Sequence, residues 1–301
     1  MDRLEAMTIL LRVVDKGSFS AASRDLGVPL ATVSRKVNEL EGHLGARLLL
    51  RTTRKVALTD AGATYVASAR RILDEIDETE RVAAGEFRVP RGELILTAPV
   101  LFGRLHILPV VTEFLAVYPE INVRLLLSDR NLHLIEDHVD MAVRIGPLPD
   151  SNMVAMRIGS MRTVVCASPK LLAGRGVPGK PDDLARLPCV NFEFLSPGST
   201  WPFRLKDARG TIEVSIRPRL SASTAEAAVW AASEGVGATR VLHYQCADAV
   251  RDGSLWIILA DFEMEHLPVH LLYTGRGALP SKMRVFLDFA ASRLRERLKS
   301  L

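Results

Sequence analysis

The chain has 301 residues, 25% of them charged and 48% apolar, with a net charge of +4. These are ordinary globular values and enough chain for about two domains, which excludes a disordered chain, a collagen and a disulfide-stapled miniprotein. Cys166, Cys189 and Cys246 are too scattered for a disulfide framework or a zinc site, no run reaches the ~18 consecutive apolar residues of a membrane span, and the charged start at Asp2, Arg3 and Glu5 lacks a signal peptide's apolar stretch, so a cytosolic protein is expected.

Charge is concentrated at the front. Residues 1–59 hold ten Lys/Arg and six Asp/Glu, an excess equal to that of the whole chain. Such a patch suits a polyanion such as DNA, because neutralised phosphates release counterions; a solvated basic face would have the same composition. Leu4, Met7, Leu10, Leu11 and Val14 recur at helical spacing until Lys16-Gly17 ends the helix. Ser18 caps a second helix, with Phe19, Ala21, Ala22 and Leu26 on its apolar side and Gly27 at its end. Val28-Pro29 makes a tight connection, and Pro29 sits just inside a third helix that runs to His43-Leu44. Val33, Val37, Leu40 and Leu44 face inward; Thr32, Ser34, Arg35, Lys36 and Asn38 face outward.

Two short helices joined by a tight turn, the second presenting donors, form a helix-turn-helix pattern. Ser34 and Arg35 are the first candidates for base or phosphate contact, followed by Thr32 and Asn38. Leu48-Leu-Leu50 and Val56-Ala-Leu58 read as short strands around a basic tip, where Arg51, Thr53 and Arg54 are candidate DNA contacts. Thr59-Asp60 then caps a long helix with Val66, Ala69, Leu73, Ile76 and Val82-Ala83 as a narrow apolar seam. A seam of that width asks for a partner helix, so dimerisation is expected.

Gly85–Gly92 reads as a linker, after which strands and helices alternate. Strands are predicted at Glu93–Ala98, Asn122–Ser128 and Asp140–Ile145, with helices at Val100–Tyr118 and Asn131–His138 between them. That βαβαβ order implies a parallel sheet. A second unit follows, with strands at Thr163–Ala167, Cys189–Phe194, Glu213–Arg217 and Gly237–Leu242 and a helix at Thr224–Glu234. Val269–Thr274 and a helix over Pro280–Lys299 close the chain. Two such units leave a cleft lined by strand ends and helix starts.

The front of the chain resembles the LysR-type transcriptional regulators. The residues that carry the likeness are Gly17-Ser-Phe-Ser-Ala-Ala-Ser-Arg-Asp-Leu26, Val33-Ser-Arg35, Leu40-Glu41, Leu44-Gly45, Leu48, Arg51-Thr-Thr-Arg54 and Leu58-Thr-Asp-Ala-Gly62. Weaker support comes from Ala98-Pro-Val100 with Phe102-Gly103, Asp140-Met-Ala-Val-Arg-Ile-Gly146, Thr200-Trp-Pro202 and Glu234-Gly-Val-Gly237. The resemblance implies an α/β protein with an all-α-rich winged helix-turn-helix domain over 1–59, a long linker and dimerisation helix and hinge over 60–90, and a two-lobed periplasmic-binding-protein-like effector domain over 91–301. Lobe 1 would be 91–162 with 267–301, and lobe 2 would be 163–266. It further implies double-stranded promoter DNA, a small-molecule effector, a second copy of the chain in a dimer and a homotetramer, and RNA polymerase as partners, with no membrane and no cofactor. By family position, Val100, Leu101, Phe102 and Gly103 would form one wall of the effector site. Arg144 and Gly146 would end a strand beside it, and Thr200, Trp201, Ser223 and Thr224 would form the opposite wall.

The chain departs from the family at Val28-Pro29-Leu30-Ala31-Thr32, where a serine is more usual, and at Pro99-Val100-Leu101, which lacks a hydroxyl. Backbone N–H groups at Leu101–Gly103 are left as the anion site at that helix start, and a less polar or aromatic organic acid is the expected effector. Catalysis has little support. The seven histidines show no metal spacing, no nucleophile motif is present, and Gly235-Val-Gly237 reads as a helix-ending turn. A solute-binding module without a DNA role is the alternative, and it leaves residues 1–59 without a purpose.

Overall fold

The computed structural model describes residues 2–51, 56–83, 90–150, 152–205, 210–275 and 279–299. The chain divides into two compact units, Met1–Gly92 and Glu93–Leu301.

In the first unit, α1 (Arg3–Lys16), α2 (Phe19–Leu26) and α3 (Leu30–Leu44) precede a hairpin of β1 (Leu49–Arg51) and β2 (Val56–Leu58), and α4 (Asp60–Ala83) closes it. Local rules set these boundaries. The Asp2 carboxylate accepts from Leu4 N and Glu5 N, and Ser18 Oγ accepts from Ala21 N. Gly17 and Gly27 end α1 and α2 in the left-handed region, at φ +63° and +67°, which a Cβ disfavours. Pro29 is the cap of α3 rather than its first helical residue. Ala6, Leu10 and Val13 of α1 pack with Ala22, Val33, Val37 and Leu40, all fully buried. Leu44, predicted to face inward, is exposed at the end of α3.

The second unit holds two five-stranded sheets. Lobe 1 contains β3 (Gly92–Ala98), α5 (Val100–Phe102), α6 (Leu108–Val117), β4 (Ile121–Leu127), β5 (Met141–Ile145) and β6 (Met153–Met161). Lobe 2 follows with β7 (Thr163–Ala167), α7 (Pro169–Arg175), β8 (Pro188–Phe192), β9 (Thr200–Arg204), β10 (Thr211–Ser215), β11 (Arg217–Ala222), α8 (Ala225–Ser233), β12 (Ala238–Leu242), α9 (His243–Arg251) and β13 (Trp256–Ile258). The chain then returns to lobe 1 as β14 (Leu267–Thr274) and α10 (Ser281–Lys299). The strand orders are β4-β3-β5-β14-β6 and β11-β8-β12-β7-β13, and β9 and β10 form a separate hairpin.

Four expectations are corrected. The sheets are mixed: β5 runs parallel to β3 but antiparallel to β14, and β12 parallel to β8 but antiparallel to β7. Asn131–His138 is irregular chain followed by turns, not a helix. There Asp137 Oδ2 accepts from His133 N at 2.7 Å and the Arg144 guanidinium takes the Leu132 carbonyl, so side chains capture the backbone groups a helix would need. The helix over Val100–Tyr118 carries a π-helical turn at Gly103–Ile107. Pro109 has no N–H for the Leu105 carbonyl; the register slips so that Leu108 N bonds to Gly103 O, and Arg297 Nη2 meets Leu105 O at 3.4 Å. Finally, the strand predicted at Glu213–Arg217 is two strands that separate at Ile216, whose N–H bonds to Ser199 O.

Lobe 1's core gathers Leu94, Leu96, Phe102, Phe114, Met141, Val143, Phe286 and Leu294. The run Val100–Val117 is apolar and long enough by composition to cross a membrane; here it is a core helix whose Phe102, Ile107, Val110 and Phe114 are buried against α10 and the sheet.

Candidate functional site

The outward face of α3 follows from its inward one. Burial of Val33, Val37 and Leu40 at helical spacing fixes the rotation of the helix, which leaves Arg35 and Asn38 exposed and Thr32 and Ser34 half-buried. Arg35 Nη1 donates to Glu39 at 2.9 Å one turn away and keeps 62% of its side chain exposed. Exposed pairs of this kind are weak, so a phosphate or guanine can compete for the guanidinium. Lys36, outward by sequence, is instead drawn against α1 by an ion pair with Glu5 and is largely covered. Arg12 and Lys16 of α1 hold Asp25 of α2 at 3.2 and 2.6 Å. The Lys16 hydrogen bond is the main cause of the lowered Asp25 pKa.

Glu41 positions the hairpin, because its Oε1 accepts from Leu48 N and Leu49 N at 2.7 and 3.0 Å. Thr59 Oγ1 donates to Arg47 O and accepts from Gly62 N, so it caps α4 and ties it to the hairpin. Arg51 is the last residue of β1; Thr53 and Arg54 lie outside the described residues. On α4, Val66 and Ala69 are buried, Val66 within the core built on α1, and Arg70 pairs with Asp15. Part of the seam is therefore covered by the chain's own unit, whereas Leu73 and Ile76 stay half-exposed.

In the second unit the lobes are joined through Arg162 and residues 263–266. Arg162 Nε and Nη2 grip Glu263 at 2.7 and 2.8 Å and so tie the two crossings together, and that carboxylate raises the Arg162 pKa. Across the lobes, the rings of Phe102 and His106 meet Tyr244 edge-on at 5.8 and 5.5 Å. Arg104 Nη2 reaches Glu226 in the first turn of α8 at 2.8 Å. His106 is buried, with no hydrogen-bond partner for Nε2 among the described residues. Burial and the nearby Arg297 hold its pKa down at about 4.

The predicted effector residues differ in burial and in their partners. Val100 is half-buried, and its N–H is already taken by Asp129 Oδ1 at 2.9 Å; Gly103 N bonds to Pro99 O. An internal carboxylate thus sits on Val100 N, one residue before the Leu101–Gly103 amides that the sequence offered to an anion. Leu101, Phe102 and Gly103 are buried in lobe 1. Arg144 is 9% exposed and donates to Leu132 O at 2.6 Å; among the described residues no Asp or Glu pairs with it. Gly146 N bonds to Pro268 O. Thr200 is exposed, while Trp201 is fully buried and donates Nε1–H to Asn191 Oδ1 at 3.3 Å. Ser223 and Thr224 are exposed, and Thr224 Oγ1 caps α8 by accepting from Ala227 N.

The structure therefore brings Phe102, His106, Arg104, Glu226 and Tyr244 together. Sequence reading missed Asp129, although it lies just past the end of β4, where open α/β sheets place ligand-facing groups. Tyr244 and Glu226 carry no local signal. The three cysteines are buried free thiols. Cys246 Sγ donates to His243 O at 3.4 Å, and burial pushes Cys189 up to about 12. Among the described residues no group of three or more His, Cys, Asp or Glu could hold a metal.

Residues 4–63 match the family described as "Bacterial regulatory helix-turn-helix protein, lysR family", and residues 87–295 match "LysR substrate binding domain". An HTH-type transcriptional regulator of Xanthomonas campestris is 37% identical over 288 residues, which is 95% of this chain and 84% of that one. The regulator CrgA of Neisseria meningitidis is 36% identical over 96% of each chain, and its solved structure superposes with a TM-score of 0.60 over 96% of this chain and 98% of that one. The full-length structure of the Vibrio cholerae virulence activator AphB also gives 0.60, at 28% identity, over 96% and 98%.

Proposed function

The chain belongs to the LysR family of transcriptional regulators, and on that premise we propose that α3 reads a promoter sequence while a small molecule between the lobes sets the outcome. The observation that carries the first half is the rotation of α3: three buried aliphatic residues commit one face to α1 and leave Arg35, Asn38, Ser34 and Thr32 for DNA. Arg35 is the base reader, and Arg51, Thr53 and Arg54 follow the phosphates or the minor groove. Proteins of this family are regulators rather than enzymes, and the chain acts in the cytoplasm, where the DNA is. It works as a homotetramer built through the exposed part of the α4 seam, and contacts RNA polymerase at the promoter.

The effector is an organic acid, met away from the start of α5 because Asp129 holds that position. Arg104 is the cation suited to its carboxylate. Exchange of Glu226 for ligand on Arg104 would alter the contact between lobes. A ligand that favours one lobe arrangement shifts its population, and with it the spacing and bend of bound DNA.

Fluorescence anisotropy of the full chain tests this, using its own upstream DNA against a shuffled duplex. Specific binding should be about tenfold tighter or more. Arg35→Ala should cost about 1–3 kcal/mol on the upstream DNA and little on the shuffled one, whereas Arg54→Ala should weaken both and flatten the salt dependence. Equal losses on both duplexes for both variants would remove the assignment of roles. Arg104→Gln and Glu226→Gln should change the response to candidate acids without changing DNA affinity in their absence.

A further inference from the structure

The first turn of α3 opens without a hydrogen-bonding side chain. Pro29, Leu30 and Ala31 are all exposed, Leu30 by 45%. Pro29 has no side-chain oxygen and makes no cap hydrogen bond, whereas Asp2 and Ser18 cap α1 and α2. An exposed leucine alone is ordinary; its place is what decides here. Ala31 stands in one outward row with Arg35 and Asn38, all three exposed, away from the buried Val33, Val37 and Leu40. Leu30 stands one turn before Ser34 on the adjoining row. The turn that delivers them is tied to α2, because Ser23 Oγ donates to Val28 O at 2.6 Å and Val28 N donates to Ser23 O at 3.2 Å. In a helix-turn-helix the first residues of the second helix are the ones that meet base edges.

The one apolar group in the major-groove code is the C5-methyl of thymine. Leucine pressed on guanine O6 or cytosine N4 would strip water from a polar atom and return no hydrogen bond, which costs affinity. Attraction to one base and a penalty on the others together make a reader. Ala31 is short, so the outward row can come close to the base edges and bring Leu30 alongside them. We propose that Leu30 is a specificity-determining residue that reads thymine through its methyl group. This rests on the reading of α3 as the base-contacting helix. It adds to the Arg35 base a second one within about two base pairs, since four helical residues rise about 6 Å against about 3.4 Å per base pair.

The test selects sites from a randomised duplex pool with the full chain, then replaces each thymine of the selected site by deoxyuridine, which removes only the methyl. At one thymine within about two base pairs of the Arg35 guanine, the exchange should weaken wild-type binding about fourfold, as loss of one buried methyl-sized group does. Leu30→Ala should bind the thymine and deoxyuridine duplexes alike. Leu30→Gln should move the selected base from thymine towards adenine, which an amide side chain reads. Arg35→Ala, which keeps Leu30, should relax the guanine and retain the deoxyuridine penalty. Leu30 is exposed, so its variants should melt as the wild type does. A wild type indifferent to deoxyuridine at every position overturns the thymine assignment. So does a penalty that Leu30→Ala keeps, because it then belongs to the shape of the DNA. In either case a guanine preference lost in Arg35→Ala still leaves α3 as the reader. A pool that yields no site removes the reading of α3 itself, and this assignment with it.

Discussion

Lobe 1 and lobe 2 arrange their strands in one order, with a central strand that is parallel to one neighbour and antiparallel to the other. Each central strand carries a buried arginine, Arg144 or Arg240, that donates to a loop carbonyl and pairs with no acid among the described residues. The lobes differ in how they close. Lobe 1 borrows β14 and α10 from the end of the chain and fills its core with Phe102, Phe114 and Phe286. Lobe 2, assembled from consecutive elements, uses smaller residues against α8, with Ala225, Ala228, Ala231 and Ala232 in that layer. The same topology thus tolerates different fillings, and chemistry is added where the filling leaves a polar group inside.

The largest effects should come from the aromatic anchors. Phe102→Ala in lobe 1 and Trp201→Ala in lobe 2 each empty a fully buried site and should cost about 3–5 kcal/mol in denaturant unfolding of the full chain. Phe102 also meets Tyr244 of the other lobe, so its loss should merge less cleanly into one transition; losses below about 1 kcal/mol would mean that the sites collapse without a cavity.

Added volume sharpens the contrast next. A Cβ at Gly237 would stand 2.6 Å from Pro188 O and 2.8 Å from Cys189 C, both backbone, whereas one at Gly103 meets chiefly the Leu127 side chain, which is partly exposed. Gly237→Ala should therefore destabilise by about 3 kcal/mol and Gly103→Ala by about 1 kcal/mol, read from melting temperatures.

A pH effect belongs to lobe 1. His106 is accepted there as the neutral ring, with its pKa near 4 against the usual 6.5, through burial and Arg297; the Phe102 and Tyr244 rings pack on it. As pH falls the unfolded chain takes a proton that the folded chain refuses. Stability is therefore complete above about 6.5 and is lost as the pH falls through about 4. Melting curves across that range should show a steeper decline for the wild type than for His106→Gln; parallel curves would refute the assignment.

The smallest effects are at the surface. Thr224→Ala removes the cap of α8 and should cost about 1 kcal/mol. Arg104→Gln breaks a pair that is half-exposed on both sides and should change stability by less than about 1 kcal/mol.

Legibility followed the range of the interactions. The three helices of the first unit were readable nearly to the residue because Ser18, Gly17 and Gly27 act on their own neighbours. Asn131–His138 was misread because the groups that undo the helix include Arg144, twelve residues on from the carbonyl it takes. The interlobe cluster was invisible for the same reason: Phe102 and Tyr244, or Arg104 and Glu226, are more than a hundred residues apart.

By itself the sequence determined the boundaries of α1 and α2 and the burial of Val33, Val37 and Leu40 on α3, since each rests on spacing and capping within a few residues; the family rested on its resemblance in the residues of the helix-turn-helix. Tertiary structure alone decided that β14 inserts between β5 and β6 and that Asp129 takes the Val100 N–H at the start of α5. Periodicity tells a residue to be buried, but only the packed chain supplies the partner it is buried against.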